Sequence, residues 1–539
     1  MIPYTAKKSK IFQELSKDDR NNYFSYSQKK FLHNIDSLYF VVKVKNDWNK
    51  DEGVKRLKSV LDFYRNRATK SFDPVVLFQD LGAYEHLGTE FVMHGIGSAP
   101  YIYDVSKVDK YLMFFMGHQL NNDTPEIWVQ LRSQNLWLTG EHESVKEAIN
   151  DIKSLLSEFD IEIDNIKENR IDYAYHTNYV QDPTNYFKSE NMNRMQKSRF
   201  ERGSLEFGFK GDFEVETDYI TLGRKKSNNI FFRTYNKSKE VIEQQYKQFF
   251  IKLWYLENMI SYFDLYCMEK AFMKPSRTNY KFLDVARLHF YLEYGLDPDI
   301  KNKINKLISK DSIDYDKVVK LADELVPKVT IIMNIEIETK RKFYYSMDSS
   351  VDKLLKIKSK DFPKFADKLI VKLDNKQVFH DHLVCNNDEQ KGVIRFLDYK
   401  AKNKDGLSWT TKDKFPTSDL WKRLQSVKVN KKFDEEKIKL SREYQKTLST
   451  ELLKSKLINT MSTYSLYIHG DDVQNDILHD SLDFMSTLNE TDMEKAIDYK
   501  RKKIALLQNR LGDVEGVSKL ENKFKIVDTE TGESITSYE

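Results

Sequence analysis

Apolar and polar residues alternate along several stretches of this chain, and in others they recur at helical spacing. From Asn34 the run IDSLYFVVKVK alternates and is β-branched, which predicts a strand. Over residues 51–67 the spacing turns helical, with Val54, Leu57, Val60, Leu61 and Tyr64 along one side. A β-rich block is expected over 75–140, including YLMFFMGHQL and EIWVQLRSQNLWLTG. An amphipathic helix follows over 145–159, burying Val145, Ala148, Ile152, Leu155, Leu156 and Phe159. The stretch 168–179, ENRIDYAYHTNY, predicts a strand with Arg170, Asp172, Ala174 and His176 on one face and Ile171, Tyr173 and Tyr175 on the other. Residues 219–222 and 230–236 read as a hairpin joined by the basic connection 223–229. On its returning strand Phe231, Arg233, Tyr235 and Lys237 share one face, opposite Ile230, Phe232, Thr234 and Asn236.

Further on, 240–246 is expected to be helix or loop, and the apolar 250–267, FIKLWYLENMISYFDLYC, fits strand or helix equally. Residues 283–308 and 315–326 predict helices, the second ended by Pro327. Strand-like runs lie in 330–345 and 367–398, an amphipathic SDLWKRLQSVKV in 407–429, and a mainly helical pattern over 433–510. The expected fold is α+β, a mixed or antiparallel sheet with packed helices and an α-rich C-terminal half. Its divisions are a polar arm at 1–30, a core at 31–285, an α+β region at 286–430 and a helical region at 431–539.

Length changes this picture little: 539 residues predict two to four domains. Lys and Arg total 87 against 83 Asp and Glu, so nucleic-acid binding is permitted by charge but has to be argued from clusters. Arg224, Lys225 and Lys226 in the hairpin connection, and Lys197 and Arg199 in the polar stretch before it, are the DNA-facing candidates. Only two cysteines, Cys267 and Cys385, a first segment without an apolar stretch and no 18-residue apolar run predict a soluble cytoplasmic protein that meets no membrane. Walker A, GxGxxG, HExxH and CxxC patterns are absent, which leaves ATPase, dehydrogenase, zincin and zinc-finger readings without support.

The candidate nucleophile is Tyr235, set between Arg233 and Lys237. Neighbouring cations favour phenolate over phenol and could hold a phosphodiester; the plainer alternative is a packing tyrosine, one of 31 in the chain. Asp172 poses a similar choice. A carboxylate inside an otherwise apolar strand has to be paired, with Arg170 the obvious partner, or metal-bound.

Thr221, Leu222, Gly223 and Ser227, followed by Arg233-Thr-Tyr235-Asn236-Lys237 and Glu240, resemble the replication initiation factor (Rep_trans) family of rolling-circle initiators and related conjugative relaxases. IDSLYFVVK and QLRSQNLWL are similar to N-terminal parts of the same family. The resemblance fades beyond about residue 285. It implies Tyr235 as nucleophile, assisted by Arg233 and Lys237, and a divalent ion, Mg²⁺ or Mn²⁺. Asp172 takes the place of the family's first acidic residue, His176 stands where a second Asp is common, and Glu257 follows Tyr255 where the family has an R-x-E strand. The implied activity is origin nicking that leaves a 5′-phosphotyrosyl link and a free 3′ hydroxyl. Its implied substrate is an origin hairpin, an unpaired strand or a supercoiled duplex, with a host helicase and a second copy of the chain as further partners. A relaxase acting at an origin of transfer, and an origin-binding protein without catalysis, are the alternatives. The pair His380 and His382 would share a strand face, a second and weaker metal pattern.

Overall fold

The structure is a computed structural model. It describes residues 2, 4–26, 29–71, 75–76, 91–95, 97, 99–108, 110–119, 124–180, 196–198, 205–210, 216–223, 229–243, 247–272, 281–309, 313–345, 363–386, 392–409, 414–429, 457–458, 460–461, 494, 526–527 and 534–535. Two compact units emerge, Met1–Arg442 and Glu443–Glu539. In the second, Ile526–Val527 pairs with Ser534–Ile535, and most of the helical pattern expected over 433–510 lies outside the described residues.

The fold is α+β, built on one antiparallel sheet. Its strands are β1 (Phe31–Val44), β2 (Val75–Val76), β3 (Phe91–His94), β4 (Tyr103–Lys107), β5 (Tyr111–Phe115), β6 (Ile127–Leu131), β7 (Ile163–Thr177), β9 (Leu205–Lys210), β10 (Glu216–Leu222), β11 (Ile230–Asn236) and β12 (Met333–Lys340). The short β8 (Gln196–Ser198) pairs separately with β13 (Ile394–Phe396). The spatial order is β2-β3-β4-β5-β6-β1-β7-β12-β11-β10-β9, so a strand from residue 333 onward lies between β7 and the β10–β11 hairpin. A domain boundary near 285 therefore does not hold: residues on both sides of it complete one sheet.

Helices cover both faces of this sheet. Glu52–Ser71, Glu141–Ser157, Asp367–Asp374, Lys376–Leu383 and Asp419–Gln425 build one apolar layer with Ile171, Tyr173, Tyr175, Ile220, Phe232, Ile335 and Ile337. On the opposite face Ala174 meets a second layer formed by Lys237–Glu243, Phe249–Leu256, Tyr262–Phe272, Phe282–Tyr294, Pro298–Ile308 and Tyr315–Leu325. β7 is consequently buried from Ile171 to Thr177, and any polar side chain there needs a protein partner.

Several expectations change. The stretch after β6 is not a continued strand: Ser133–Thr139 is a helix that buries the consecutive Asn135, Leu136 and Trp137. Residues 367–383 form two helices whose apolar stripe packs on the sheet, so His380 and His382 do not share a strand face, and His380 Nδ1 pairs with the Tyr175 hydroxyl at 2.7 Å. The segment 1–30 is no solvated arm. It forms Tyr4–Lys7, Lys10–Glu14 and Lys17–Phe24, and it buries Ala6, Ile11, Leu15 and Phe24 in the second layer.

Phe24 meets Phe12, Phe263 and Phe290 with ring centroids 5.5–6.0 Å apart. Phe24→Ala is expected to lower the unfolding free energy by about 3–5 kcal/mol, as for a large ring removed from a packed core. Chemical denaturation of the full chain measures it; an unchanged midpoint would mean a solvated leader.

Candidate active site

Strand pairing brings the candidate residues together. Tyr235 stands opposite Asn334 on β12 and opposite Tyr219 on β10, Arg233 opposite Glu336 and Thr221, and Asp172 on β7 opposite Glu338. Cross-strand partners share a face, so Tyr39, Arg170, Asp172, Glu336, Glu338, Arg233, Tyr235 and Tyr219 form one row across five strands. The helices that cover Ala174 and His176 lie further along the same face.

Three carboxylates form the floor of this row, with Asp172, Glu336 and Glu338 at most 3% exposed. Charges so deeply buried require counter-charge. Arg170 supplies it to Asp172 through two bonds of 2.8 and 2.5 Å and to Glu338 at 2.9 Å; Arg233 reaches Glu336 at 2.5 Å. Burial, with Glu336 and Glu338 adding like charge against the pull of Arg170, pushes the Asp172 carboxyl up to about 7. Of the two readings of Asp172 in the sequence, the pair with Arg170 is present.

The Tyr235 ring is half-buried, and its hydroxyl is a junction of three groups. It accepts from Asn334 Nδ2 at 2.9 Å and from Lys237 Nζ at 3.3 Å, and donates to Glu336 Oε2 at 3.3 Å. Its acidity runs against the expectation drawn from its flanking cations. Burial holds the phenol well above its usual value; Lys237 and Arg233 pull it down, but Glu336 and Glu240 oppose them. Each cation is already committed to a carboxylate, so little net positive charge reaches the ring.

Lys237 is fully buried beneath Tyr235, bound to Glu240 at 2.7 Å and 3.9 Å from Asp36. It can steady the phenol oxygen but cannot close on a strand in solvent. Arg233, a third exposed and over the Tyr235 ring, can.

Two expected ligands stand elsewhere. Glu257 ends the helix Phe249–Leu256 and pairs with Lys30 at 2.9 Å, near Asn178 at the far end of β7. The apolar run 250–267 is two helices rather than an R-x-E strand, because its buried Phe250, Ile251, Trp254 and Cys267 pack at helical spacing in the second layer. His176 shares the face of Asp172 but lies in an aromatic box. Its ring stacks on Trp137 at 4.5 Å, meets Phe250 edge-on and accepts a bond from Trp254 Nε1 at 3.1 Å at Nδ1. Burial drives its pKa well below the usual range.

Asn334, Glu336 and Glu338 were missed in the sequence. Their signal is the alternation in MNIEIETK, where Asn, Glu, Glu and Lys fall at every second position between buried Ile335 and Ile337. Arg224, Lys225, Lys226 and Arg199 lie outside the described residues, and for Lys197 only the backbone, in β8, is described.

Lys237→Met removes the buried cation nearest Asp36 and leaves Glu240 to Lys247 alone, and it is expected to cost about 3–5 kcal/mol of stability, the usual result of breaking a buried pair from one side. Arg233→Gln, which leaves the buried Glu336 carboxylate with only the Asn334 and Tyr235 donors, is expected to cost a comparable amount. Parallel denaturation curves of the two variants measure both losses.

No family described by a sequence model matches this chain, and no curated protein matches it. A solved structure of the rolling circle replication initiator protein from Geobacillus stearothermophilus aligns over 75% of this chain and 100% of its own, at 12% identity and a TM-score of 0.33. A likeness that slight carries no weight for fold or function.

Proposed function

We propose that this chain cuts and rejoins an unpaired DNA strand by tyrosine transesterification, as an initiator of rolling-circle replication. One observation carries the reading. The phenol oxygen of Tyr235 meets two N–H donors and a carboxylate acceptor, beside a partly exposed arginine and a row of buried carboxylates. The likeness of the 221–240 stretch to the Rep_trans family supports the assignment to replication, with nicking at an origin of transfer the alternative.

Arg233 binds the scissile phosphodiester and turns it toward the phenol. As the Tyr235 oxygen attacks phosphorus, its proton passes to Glu336 Oε2, while Asn334 and Lys237 donate to the oxygen as charge grows on it. The bond from phosphorus to the 3′ oxygen breaks, and that oxygen takes a proton from solvent. The product is a strand joined through its 5′ phosphate to Tyr235 and a free 3′ hydroxyl, which can attack the phosphotyrosine to reverse the step.

Asp172, Glu336 and Glu338 offer the all-oxygen donor set suited to Mg²⁺ or Mn²⁺. Among the described residues no ready-made ligating cluster of three such side chains occurs, since guanidinium groups lie between them. Burial is the first cause of the raised Asp172 carboxyl, and a cation could reach these oxygens only by displacing Arg170 and Arg233. A divalent ion held there would supply charge that offsets the anionic phosphoryl oxygens.

The test is incubation with supercoiled plasmid carrying the chain's own locus, in Mg²⁺ or Mn²⁺. Wild-type protein is expected to yield nicked circles bearing covalent protein, with none after chelation. Tyr235→Phe is expected to lose at least about a thousandfold in rate, as for a removed nucleophile. Nicking by that variant at the wild-type rate would reject the reading, and binding without nicking under either metal would favour an origin-binding protein.

A second comparison separates the two sets of carboxylates. Glu336→Gln is expected to slow nicking by about 10²–10⁴-fold, the usual share of a proton acceptor. Glu257→Gln, a surface change, is expected to stay within about twofold. The reverse ranking in a timed plasmid assay would move the site to the end of β7.

A further inference from the structure

Tyr219 has no part in the chemistry just described, yet it stands directly opposite Tyr235 on β10, on the same face and about 5 Å away strand to strand. It is 44% exposed, whereas Asp172, Glu336 and Thr221 on that face are buried. The two sides of Tyr235 differ in what they offer a base. Toward β12 and β7 the face carries Glu336, Glu338 and Asp172, buried and already paired with Arg170, Arg233 and Lys340. Toward β10 it carries Thr221 and the exposed ring of Tyr219, with Arg233 between the two sides and Glu206 at the register position opposite Thr221 on β9. A nucleotide next to a phosphodiester held at Arg233 meets this exposed ring on β10.

We propose that Tyr219 is a stacking platform for an unpaired base next to the phosphate that Tyr235 attacks. This deepens the reading of the site as a DNA-nicking centre and rests on it. A flat exposed ring accepts the face of any base and is worth about 1–3 kcal/mol per base stacked. A base paired inside a duplex has no free face to offer, so the platform selects single strands without reading sequence. Tyr219 is a substrate-contact residue in this assignment, and its hydroxyl takes no part.

The test is strand binding by the full chain, measured by fluorescence anisotropy without divalent metal. The probes are a thymine oligonucleotide of about twenty nucleotides, longer than a usual single-strand site, and an abasic sugar-phosphate strand of equal length. Tyr219→Ala is expected to bind the thymine strand about tenfold more weakly, the lower part of the stacking range, and the abasic strand as wild type does. Tyr219→Phe, which keeps the ring, is expected to match wild type on both. Equal binding of the thymine strand by wild type and Tyr219→Ala overturns the proposal, as does an equal loss on both strands. The plasmid assay with Tyr235→Phe fails or succeeds independently, so a lost stacking effect and a lost nicking reaction are told apart.

Discussion

Negative charge buried in the middle of a sheet is the constraint on which the rest of this site depends. Asp172, Glu336 and Glu338 lie on neighbouring strands with almost no access to water, and each would be untenable alone. Arg170 and Arg233 make them tenable, and because every pair crosses between strands or joins residues two apart on one, the register of β7, β12 and β11 is tied to the charges. A slip of one residue would turn Glu336 and Glu338 into the apolar layer that holds Ile335 and Ile337.

The same constraint sets the acidity of Tyr235. A phenol between two cations looks activated along a linear sequence, but in space those cations serve Glu336 and Glu240 first. The resting site is closely balanced in charge, its phenol protonated and its arginines occupied. The proposed reaction requires that balance to be upset, and an incoming phosphate or divalent ion are two charges able to do so. Arg170 and Arg233, which neutralise the floor, and Lys340, 3.7 Å from Glu338, are cations of this face with side chains partly open to solvent.

Much of the arrangement was legible from alternation alone. The hairpin, the faces of β7, the Arg170 and Asp172 pair and the setting of Tyr235 follow from period-two spacing, which a strand keeps wherever it lies in a sheet. What spacing cannot convey is which strands become neighbours. β12 follows β11 by nearly a hundred residues and then inserts between β11 and β7, so Glu336 and Glu338 lie beyond the stretch that resembles the Rep_trans family. The run 250–267, apolar on nearly every side, carried no period to favour helix over strand, and Glu257 was assigned by chain order. His176 had the right face but the wrong neighbours, since Trp137, Phe250 and Trp254 come from helices that enclose it. The first thirty residues look solvated because only a few apolar side chains dock them.

The late insertion of β12 also has a meaning for synthesis. A ribosome delivers the tyrosine and its hairpin about a hundred residues before the strand that separates them from Asp172. Until that strand emerges, β7 and β11 lack their shared partner, the phenol has neither Asn334 nor Glu336, and Arg170 and Arg233 each lack a glutamate. A truncated product ending before residue 333 would hold Tyr235 without Asn334 or Glu336. Assembly of the sheet thus acts as a completeness check, leaving the charged row unbuilt in any fragment that stops short.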